Sequence, residues 1–339
     1  MTGASLGPGH TGPIIPSFRV PSSSPRLPAV APPRVVLVTK HTSYREFVER
    51  RRDDETLRLL LDRDVTVADI KAAHEEHECT LRQVETALHE LGARIQVVSI
   101  PHQPFSVRGV ALVVTVGGDG TLLAASHQCD AHTPVLGVNS APSTSVGFFC
   151  GLKPGRRLRS SLEKALEGTL PSMALARMEV RLNRRLISRR VLNEALFCHA
   201  SPAATSRYIV QVGSEVENHK SSGFWIGPAA GSTAAQHSAG GKILPMASKR
   251  LQFVVREPYT LTGRLRFTRT LVREGDALIV YNKMREAKLF LDGPHYVIDI
   301  GLGARLRFSL SPESLRVLAL GPDRGRSRSG RTQLGALQG

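Results

Sequence analysis

The sequence predicts an α/β protein with a parallel sheet in residues 34–170 and a second, β-rich part in residues 171–320. Three observations lead to this prediction. In the first half, apolar runs rich in Val, Leu and Ile alternate with segments of helical periodicity, which is typical of a parallel sheet covered on both faces. After Pro171 the chain changes to short, often alternating segments separated by Gly, Asn or Pro, as in antiparallel sheets. A glycine-rich turn follows the most apolar strand, at the end of a parallel strand where ligands bind.

Four apolar runs are predicted to be strands of a Rossmann-like sheet: 34–40, 94–100, 110–118 and 134–140. Helices are predicted at 44–62, 66–91, 122–127 and 156–168. In the second of these, Leu81, Val84 and Leu88 recur at helical spacing, and Gly92 stands where a helix would stop. No GxGxxG follows any predicted strand and no GxxxxGK[ST] occurs, which excludes a standard Rossmann dehydrogenase and a standard P-loop enzyme.

The composition is that of an ordinary folded protein with an excess of basic residues. The 339 residues are 41% hydrophobic and carry a formal net charge of +16. No apolar run reaches the roughly 18 residues of a transmembrane helix, and the four cysteines lack metal-type spacing. Positive charge attracts polyanions, but these charges are scattered and only 5% of the residues are aromatic. We therefore expect small phosphorylated ligands as partners, and neither dedicated nucleic-acid binding nor a membrane.

Both ends of the chain, residues 1–33 and 321–339, are predicted to be disordered tails because their composition can bury little. The first tail has Arg and Ser but no acidic residue, so a weak organelle transit peptide is the alternative to a plain tail. We expect a cytoplasmic location, with a mitochondrion or plastid as the alternative. A homo-oligomer, in the simplest case a dimer, is also expected.

The most informative motif is the run that ends the third strand, Gly117, Gly118, Asp119, Gly120 and Thr121. Glycines let the backbone approach a phosphate or ribose closely, and their N–H groups can donate to anionic oxygens. Thr121 is expected to cap the following helix. A carboxylate repels a bare phosphate, so Asp119 is expected either to hold a magnesium ion or to accept a proton from an attacking hydroxyl.

Two further stretches indicate contact with a ligand. Asn193 and Glu194 are adjacent polar residues within an apolar strand, where neighbours face opposite ways. At least one of them would therefore be buried without a partner, unless a bend or a ligand intervenes. The second stretch, 221–245, is dense in small residues that offer backbone donors and hydroxyls in a compact space, among them Gly231, Ser232, Thr233, Ala234 and Ser238.

These three motifs together resemble those of the NAD kinase family, in the same order: GGDGT at 117–121, NE at 193–194 and GSTAAxxSAGG at 231–241. The resemblance covers about residues 34–320, and AAGSTAAQHSAGG with LQFVVREP is similar to the plant and algal NADH kinase branch. It implies an α/β domain and a β-rich domain with a dinucleotide held between them. It also implies ATP-dependent phosphoryl transfer, with a divalent metal such as Mg²⁺, to the 2′-hydroxyl of the adenosine ribose of NADH or NAD⁺.

The resemblance further implies roles for individual residues. Asp119 matches the family's catalytic carboxylate, and Gly120 matches its substrate-contacting neighbour. No dedicated metal ligand is predicted. The remaining predicted substrate or cofactor contacts are Gly117, Gly118, Thr121, Asn139, Phe148, Asn193, Glu194, Gly231, Ser232, Thr233, Ala234, Ala235 and Ser238.

The chain departs from the family pattern at three places. The family usually has Asn-x-Gly-x-Leu-Gly-Phe, whereas here the longer insert APSTSV separates Asn139 from Gly147–Phe148. Most members have Asp where Ser222 stands and Tyr where Ala235 stands. Because a lost carboxylate near the nicotinamide disfavours the positively charged ring, we expect NAD⁺ to be penalised more than NADH.

Other interpretations remain open at this level. A lipid kinase of the diacylglycerol or sphingosine type would share GGDGT, and a catalytically silent dinucleotide-binding protein would share all three motifs. HEEHE (74–78) lacks the HExxH spacing of a metal site and is expected to be a solvated helix face. Asp292–Gly293 resembles a family DG turn, and the sequence leaves open whether it touches the pocket.

Overall fold

A seven-stranded, mainly parallel sheet organises the first part of the fold. The computed structural model describes residues 31–100, 103–260 and 265–321, so the predicted tails lie outside it except for 31–33 and 321. The strand order is β2-β1-β3-β4-β19-β6, and β5 also pairs with β4. The strands are β1 (Arg34–Lys40), β2 (Arg94–Ile100), β3 (Leu112–Gly117), β4 (Val135–Asn139), β5 (Cys150–Leu152), β6 (Ser172–Leu175) and β19 (Leu315–Leu318).

Helices connect these strands much as the periodicity predicts. They are a π-helical turn (Arg45–Arg50), α1 (Asp54–Leu61), α2 (Ile70–Glu90), α3 (Asp119–Ser126) and α4 (Leu158–Leu166). The helix predicted over 44–62 is interrupted, because the Asp53 carboxylate accepts the Thr56 N–H at 2.9 Å and starts a new helix. Of the helices in the described ranges, none combines the length and the apolar character of a membrane span.

Both faces of the central strands β1, β3 and β4 are buried, as their apolar sequences predict. Val35 and Leu37 of β1 belong to a core cluster with residues of α2 and α4. Val36 and Val38 point the other way, into a second cluster that contains Leu122 of α3. Alternate residues of one strand therefore enter different cores, which is why the strand is a continuous apolar run.

Two six-stranded antiparallel sheets form the β-rich part. Their orders are β11-β10-β15-β18-β7-β8 and β14-β13-β12-β9-β16-β17. One apolar cluster, which includes Phe197, Tyr208, Phe224, Phe253 and Phe308, takes residues from both sheets. The strands are β7 (Met178–Leu182), β8 (Arg185–Val191), β9 (Ala195–His199), β10 (Ser206–Val212), β11 (Glu215–Ser221), β12 (Phe224–Pro228), β13 (Arg250–Val255), β14 (Arg269–Arg273), β15 (Ala277–Asn282), β16 (Ala287–Leu291), β17 (Tyr296–Ile300) and β18 (Arg305–Leu310).

The β-rich part also covers one face of the parallel sheet. Leu192, Ala230 and Met246 lie in the same core cluster as Leu122. Ala230 belongs to a short 3₁₀ helix (Ala229–Thr233) that is followed by α5 (Ala235–Ser238). The chain returns to the parallel sheet in β6 and β19, and the boundary expected near residue 170 stays a prediction. This shared core brings the three sequence motifs to one region.

Candidate active site

The GGDGT run forms a tight passage from β3 into α3. All six residues of β3 are buried, and Gly118 is the N-cap of a helix that starts at Asp119. Thr121 is the third residue of that helix, so the expectation that it caps the helix is wrong. Its side chain instead packs back on Gly117, where an added Cβ would lie 2.1 Å from Thr121 Oγ1. Gly117 is therefore required by close packing inside the turn.

The Asp119 carboxylate is held by two consecutive backbone amides. Phe148 N–H donates to Oδ2 at 2.8 Å, and Phe149 N–H donates to Oδ1 at 2.7 Å. Each carboxylate oxygen has two lone pairs, and these bonds use one on each. The carboxylate is thus fixed in orientation and retains acceptor capacity for a ligand.

The amides that hold Asp119 come from a loop, 140–149, that folds back over Asn139. Asn139 Nδ2 donates to Ser145 O at 2.9 Å. Gly147 has φ +58°, and a Cβ there would lie 2.6 Å from Asn139 Nδ2, so only glycine fits without strain. Asn139 and Phe148, both predicted ligand contacts, line a concavity of about 660 Å³, here called the second cavity, together with residues 142–147 and 150–153.

The Asn193–Glu194 corner between β8 and β9 is held by Asp292. Its carboxylate accepts N–H bonds from Leu192 (2.8 Å), Asn193 (2.7 Å) and Glu194 (3.1 Å). Asp292 itself has φ +49°, a conformation that Asp tolerates better than most residues, and its side chain is 1% exposed. His127 Nε2 lies 2.9 Å from Asp292 Oδ2. The DG turn therefore reaches the site, as the holder of the corner.

Glu194 is the most perturbed carboxyl of the site. It is 8% exposed, and within the described residues its Oε2 has no hydrogen-bond partner. Burial raises the pKa of Glu194 to about 7, and the negative charge of Asp292 acts in the same direction, against a hydrogen bond from Asn193. An unsatisfied buried acceptor of this kind suits a ligand hydroxyl or amino group.

The third motif packs behind this corner. A Cβ at Gly231 would lie 1.7 Å from Asn193 O, and Gln236 Nε2 donates to the same oxygen at 3.4 Å. The Ser232 hydroxyl is buried, donates to Ala229 O at 2.7 Å and accepts Leu244 N–H at 2.9 Å. Gly231 thus packs directly against the backbone of the Asn193–Glu194 corner, and Ser232 holds the adjoining turn. Ligand contacts by Thr233, Ala234, Ala235 and Ser238 stay predictions.

A concavity of about 660 Å³, here called the first cavity, joins two of the motifs. Gly118, Gly120 and Thr121 line one side, and Glu194 with Asp292 lines the other. A Cβ at Gly120 would meet no atom within 4 Å, so the absence of a side chain leaves open space there. The volume lies in the range that holds a ligand of nucleotide size.

Several residues of the first cavity were not predicted from the sequence. Lys40, His41, His127 and His295 line it, and burial lowers the pKa of Lys40. Lys40 is the last residue of β1 and His41 directly follows it, and the carboxyl end of β1 lies beside that of β3. Their position at the end of a parallel strand is the signal that could have indicated them.

The HEEHE prediction is wrong in the structure. His74 and His77 are buried rather than solvated, and they hydrogen-bond to Thr42 and Thr39. Within the described ranges there is also no group of three or more His, Cys, Asp or Glu residues placed to hold a metal ion.

Fold and cavity together define an α/β protein whose first cavity lies at the carboxyl ends of parallel strands, beside a β-rich part. Residues 35–169 match the family model of the ATP-NAD kinase N-terminal domain. The chain is 33% identical over 234 residues to a probable NADH kinase of Oryza sativa subsp. japonica, a match that covers 62% of this chain and 72% of that protein. It is 33% identical over 254 residues to an NADH kinase of Arabidopsis thaliana, covering 66% and 77%.

Solved structures show the same fold. An NAD kinase from Archaeoglobus fulgidus, crystallised in complex with ATP, superimposes with a TM-score of 0.61 at 19% identity, over 86% of this chain and 96% of that one. Yeast NADH kinase complexed with NADH gives 0.60 at 16% identity, over 88% and 90%. The chain belongs to the NAD kinase family, a family of phosphotransferases. The resemblance and the fold class inferred from the motifs are confirmed.

Proposed function

We propose that the protein transfers the γ-phosphoryl group of ATP to the 2′-hydroxyl of the adenosine ribose of NADH or NAD⁺. One observation carries this proposal beyond family membership. Gly118 and Gly120, the sequence neighbours of Asp119, line the first cavity, and Phe148, which donates to its carboxylate, lines the second cavity of similar size. A two-substrate phosphotransferase needs such an arrangement, with one functional carboxylate between two ligand sites.

In the proposed reaction the ribose 2′-oxygen attacks the γ-phosphorus, the bond to the β–γ bridging oxygen breaks, and ADP leaves. The 2′-hydroxyl proton passes to Asp119 as its O–H bond weakens. Because two backbone amides already hold the carboxylate, little reorganisation is needed to align it. The glycine backbone at 117–120 allows close approach of phosphate oxygens, and the net positive charge of the chain favours capture of two polyphosphate substrates.

The residues present also fit a magnesium ion that arrives with ATP. Mg²⁺ is usually held by one or two carboxylates together with substrate phosphates and water, so it does not require a three-residue protein cage. Asp119 retains an acceptor lone pair on each oxygen for such a contact. When bound, Mg²⁺ would neutralise charge on the transferred phosphate.

On the dinucleotide side, the unpartnered Glu194 Oε2 would accept a hydrogen bond from a ribose hydroxyl or the adenine amino group. The protonation state of Glu194 then matters, because a neutral carboxyl can donate as well as accept. Asp292 keeps this corner in place through three amides. Glu194 Oε2 gives the first cavity a hydrogen-bonding group that a nucleoside can use and a lipid chain cannot.

We further propose NADH as the preferred acceptor. Ser222 occupies the place where most family members have Asp, and its backbone bonds to Arg256 on both sides: Ser222 N–H donates to Arg256 O at 3.1 Å, and Arg256 Nη1 donates to Ser222 O at 3.5 Å. With the neutral Ser222 in place of a carboxylate, the Arg256 guanidinium beside it opposes a positively charged nicotinamide ring and leaves the neutral ring of NADH unaffected. The named relatives of rice and Arabidopsis are NADH kinases.

A coupled assay of the purified full chain tests the proposal. With ATP and Mg²⁺ we expect NADPH from NADH, a slower formation of NADP⁺ from NAD⁺, and no phosphorylation of a diacylglycerol or sphingosine dispersion. The D119N variant is expected to lose about 10²–10⁴-fold in kcat, the usual contribution of a general base. Its dissociation constant for NADH, measured by calorimetry, should change little.

The matched control is D130N. Asp130 also accepts two backbone N–H bonds, from His132 and Thr133, but neither these donors nor its sequence neighbours line the first or the second cavity. This variant should keep its kcat. If lipid is phosphorylated and neither dinucleotide is, the lipid kinase is the correct alternative. If both dinucleotides bind but neither reacts, the protein is a silent binder.

A further inference from the structure

The buried histidine of helix α2 connects two strands of the parallel sheet. His77 is 0% exposed. Its Nε2 is 3.0 Å from Thr39 Oγ1 near the end of β1, and its Nδ1 is 2.8 Å from Ser140 Oγ directly after β4. In the sheet, β1 and β4 are the two neighbours of β3, so His77 bridges the strands that flank the GGDGT turn.

His77 is neutral and uses both ring nitrogens. Burial lowers its pKa to about 4, and the positive charges of Lys40, His74 and Arg45 act in the same direction. A neutral imidazole has one N–H donor and one acceptor nitrogen, which matches two hydroxyl partners that can each donate or accept. The bridge therefore satisfies every polar atom of a fully buried ring.

Helix α2 holds the start of the 140–149 loop through more than this histidine. Thr80 Oγ1 donates to Ser140 O at 3.0 Å, and the Ser143 hydroxyl donates to the Glu76 carboxylate. The same loop ends at Phe148 and Phe149, whose amides orient Asp119. One continuous set of contacts thus runs from α2 through the loop to the reacting carboxylate.

The loop has a reason to need such an anchor. It carries the insert APSTSV, which is longer than the spacing usual in the family, and a longer loop has more conformational freedom to lose. Inside the loop, Thr144 and Ser145 N–H groups both bond to Ala141 O, so its geometry depends on where residues 140–141 are placed. Ser140 is the point at which α2 sets that placement.

We propose that His77 is a positioning residue for Asp119, acting through Ser140 and the 140–149 loop. The inference rests on the proposed function, in which Asp119 accepts the 2′-hydroxyl proton. Misplacement of a reacting group by about 1 Å can cost on the order of 100-fold in rate. Loosening the loop should therefore lower kcat by about 10- to 100-fold. Because residues 142–148 line the second cavity, any change in KM should be confined to the substrate bound there.

Two pairs of substitutions separate this role from simple support of the fold. T39V and S140A each remove one partner of the same ring, so their melting temperatures should fall by similar amounts. H77N keeps a polar atom where Nδ1 stands and so retains the Ser140 contact, whereas H77Q keeps one where Nε2 stands and retains the Thr39 contact. We expect S140A and H77Q to lose about 10-fold or more in kcat, and T39V and H77N to stay within about threefold of the wild-type chain.

Hydrogen–deuterium exchange supplies a readout that does not require activity. The Phe148 and Phe149 amides should exchange about 10-fold faster or more in S140A than in T39V. If the wild-type chain phosphorylates neither dinucleotide, the proposed function fails, while the exchange comparison still decides whether His77 orders the loop. Equal exchange in S140A and T39V, or kcat values that follow the melting temperature across all four variants, would overturn the inference.

Discussion

Replacing Glu194 by Gln should make the folded protein more stable at neutral and alkaline pH. The folded-state pKa of Glu194 is raised from the ordinary 4.5 to about 7, chiefly by burial. Below about pH 4.5 the carboxyl is protonated in both the folded and the unfolded chain and has no effect on stability. Between 4.5 and 7 the unfolded chain loses this proton while the folded chain keeps it, so the free energy of unfolding falls as the pH rises.

The size of the effect follows from the two pKa values. Each pH unit between them corresponds to about 1.4 kcal/mol, so ionised Glu194 costs the fold about 3 kcal/mol above pH 7. The E194Q variant avoids this cost. Its advantage over the wild-type chain should therefore grow from under 1 kcal/mol near pH 5 to about 3 kcal/mol at pH 8.

Urea unfolding at several pH values, followed by tryptophan fluorescence, measures this directly. The chain has one tryptophan, Trp225 in β12. Its cross-strand partner is Leu196 of β9, a strand that begins immediately after Glu194. The probe therefore reports on the sheet that carries the substitution.

Glu179 provides a control with a similar exposed fraction and a pKa shift of opposite sign. It is 7% exposed. Burial alone would raise its pKa, but hydrogen bonds from Arg181 and Arg189, at 2.6 and 3.0 Å, more than offset this and lower the pKa. Ionised Glu179 stabilises the fold above pH 4.5, and this contribution is lost as the pH falls. E179Q should be less stable than wild type at neutral pH and converge with it in acid. A pH-independent difference for E194Q, or the same sign for both variants, would refute the reasoning.

Three further predictions concern single residues. G120A should bind nucleotide more weakly, because Gly120 lines the first cavity. Its melting temperature should be no lower than that of wild type, because the added Cβ meets no atom within 4 Å and alanine favours the helix by about 1 kcal/mol. G117A should instead lower the melting temperature, because its Cβ would lie 2.1 Å from Thr121 Oγ1. Thermal unfolding of G120A and G117A checks the two stability predictions, and a nucleotide titration of G120A checks the binding prediction. S222D should lower the ratio of kcat/KM for NADH to that for NAD⁺ by about 10-fold in the coupled assay, and an unchanged ratio would remove the electrostatic explanation of acceptor preference.

Local pattern was sufficient for most of the first half of the fold. The strands predicted at 34–40 and 94–100 have the same bounds in the structure, because each is a short apolar run with turn residues or helices on both sides. Pairing that joins distant segments was not predictable in this way. β6 finds its partner β19 about 140 residues later, and nothing in the local sequence of either strand specifies the other.

In the candidate site too, local pattern identified some residues, whereas residues that depend on distant partners were missed. The conflict of two adjacent polar residues in an apolar strand indicated a special corner, and Glu194 is indeed buried with an oxygen left for a ligand. His77 was misjudged because its burial depends on Ser140, 63 residues away, and a histidine between glutamates on a helix is usually solvated. Sequence reasoning finds a residue whose local surroundings are unfavourable, but it does not find one whose distant partner makes it fit.

The site also shows two aspartates performing the same structural task with different consequences. Asp119 and Asp292 each bind consecutive backbone amides: Asp119 fixes the 140–149 loop, which lines the second cavity, and Asp292 fixes the corner at 192–194 beside the first. The Asp292 side chain is 1% exposed and accepts three backbone N–H bonds, so its capacity is used by the protein. Asp119 is only half-buried and bonded once per oxygen, so it keeps the capacity to meet a substrate hydroxyl. Free acceptor capacity is thus what distinguishes the proposed reacting carboxylate, Asp119, from the supporting carboxylate, Asp292.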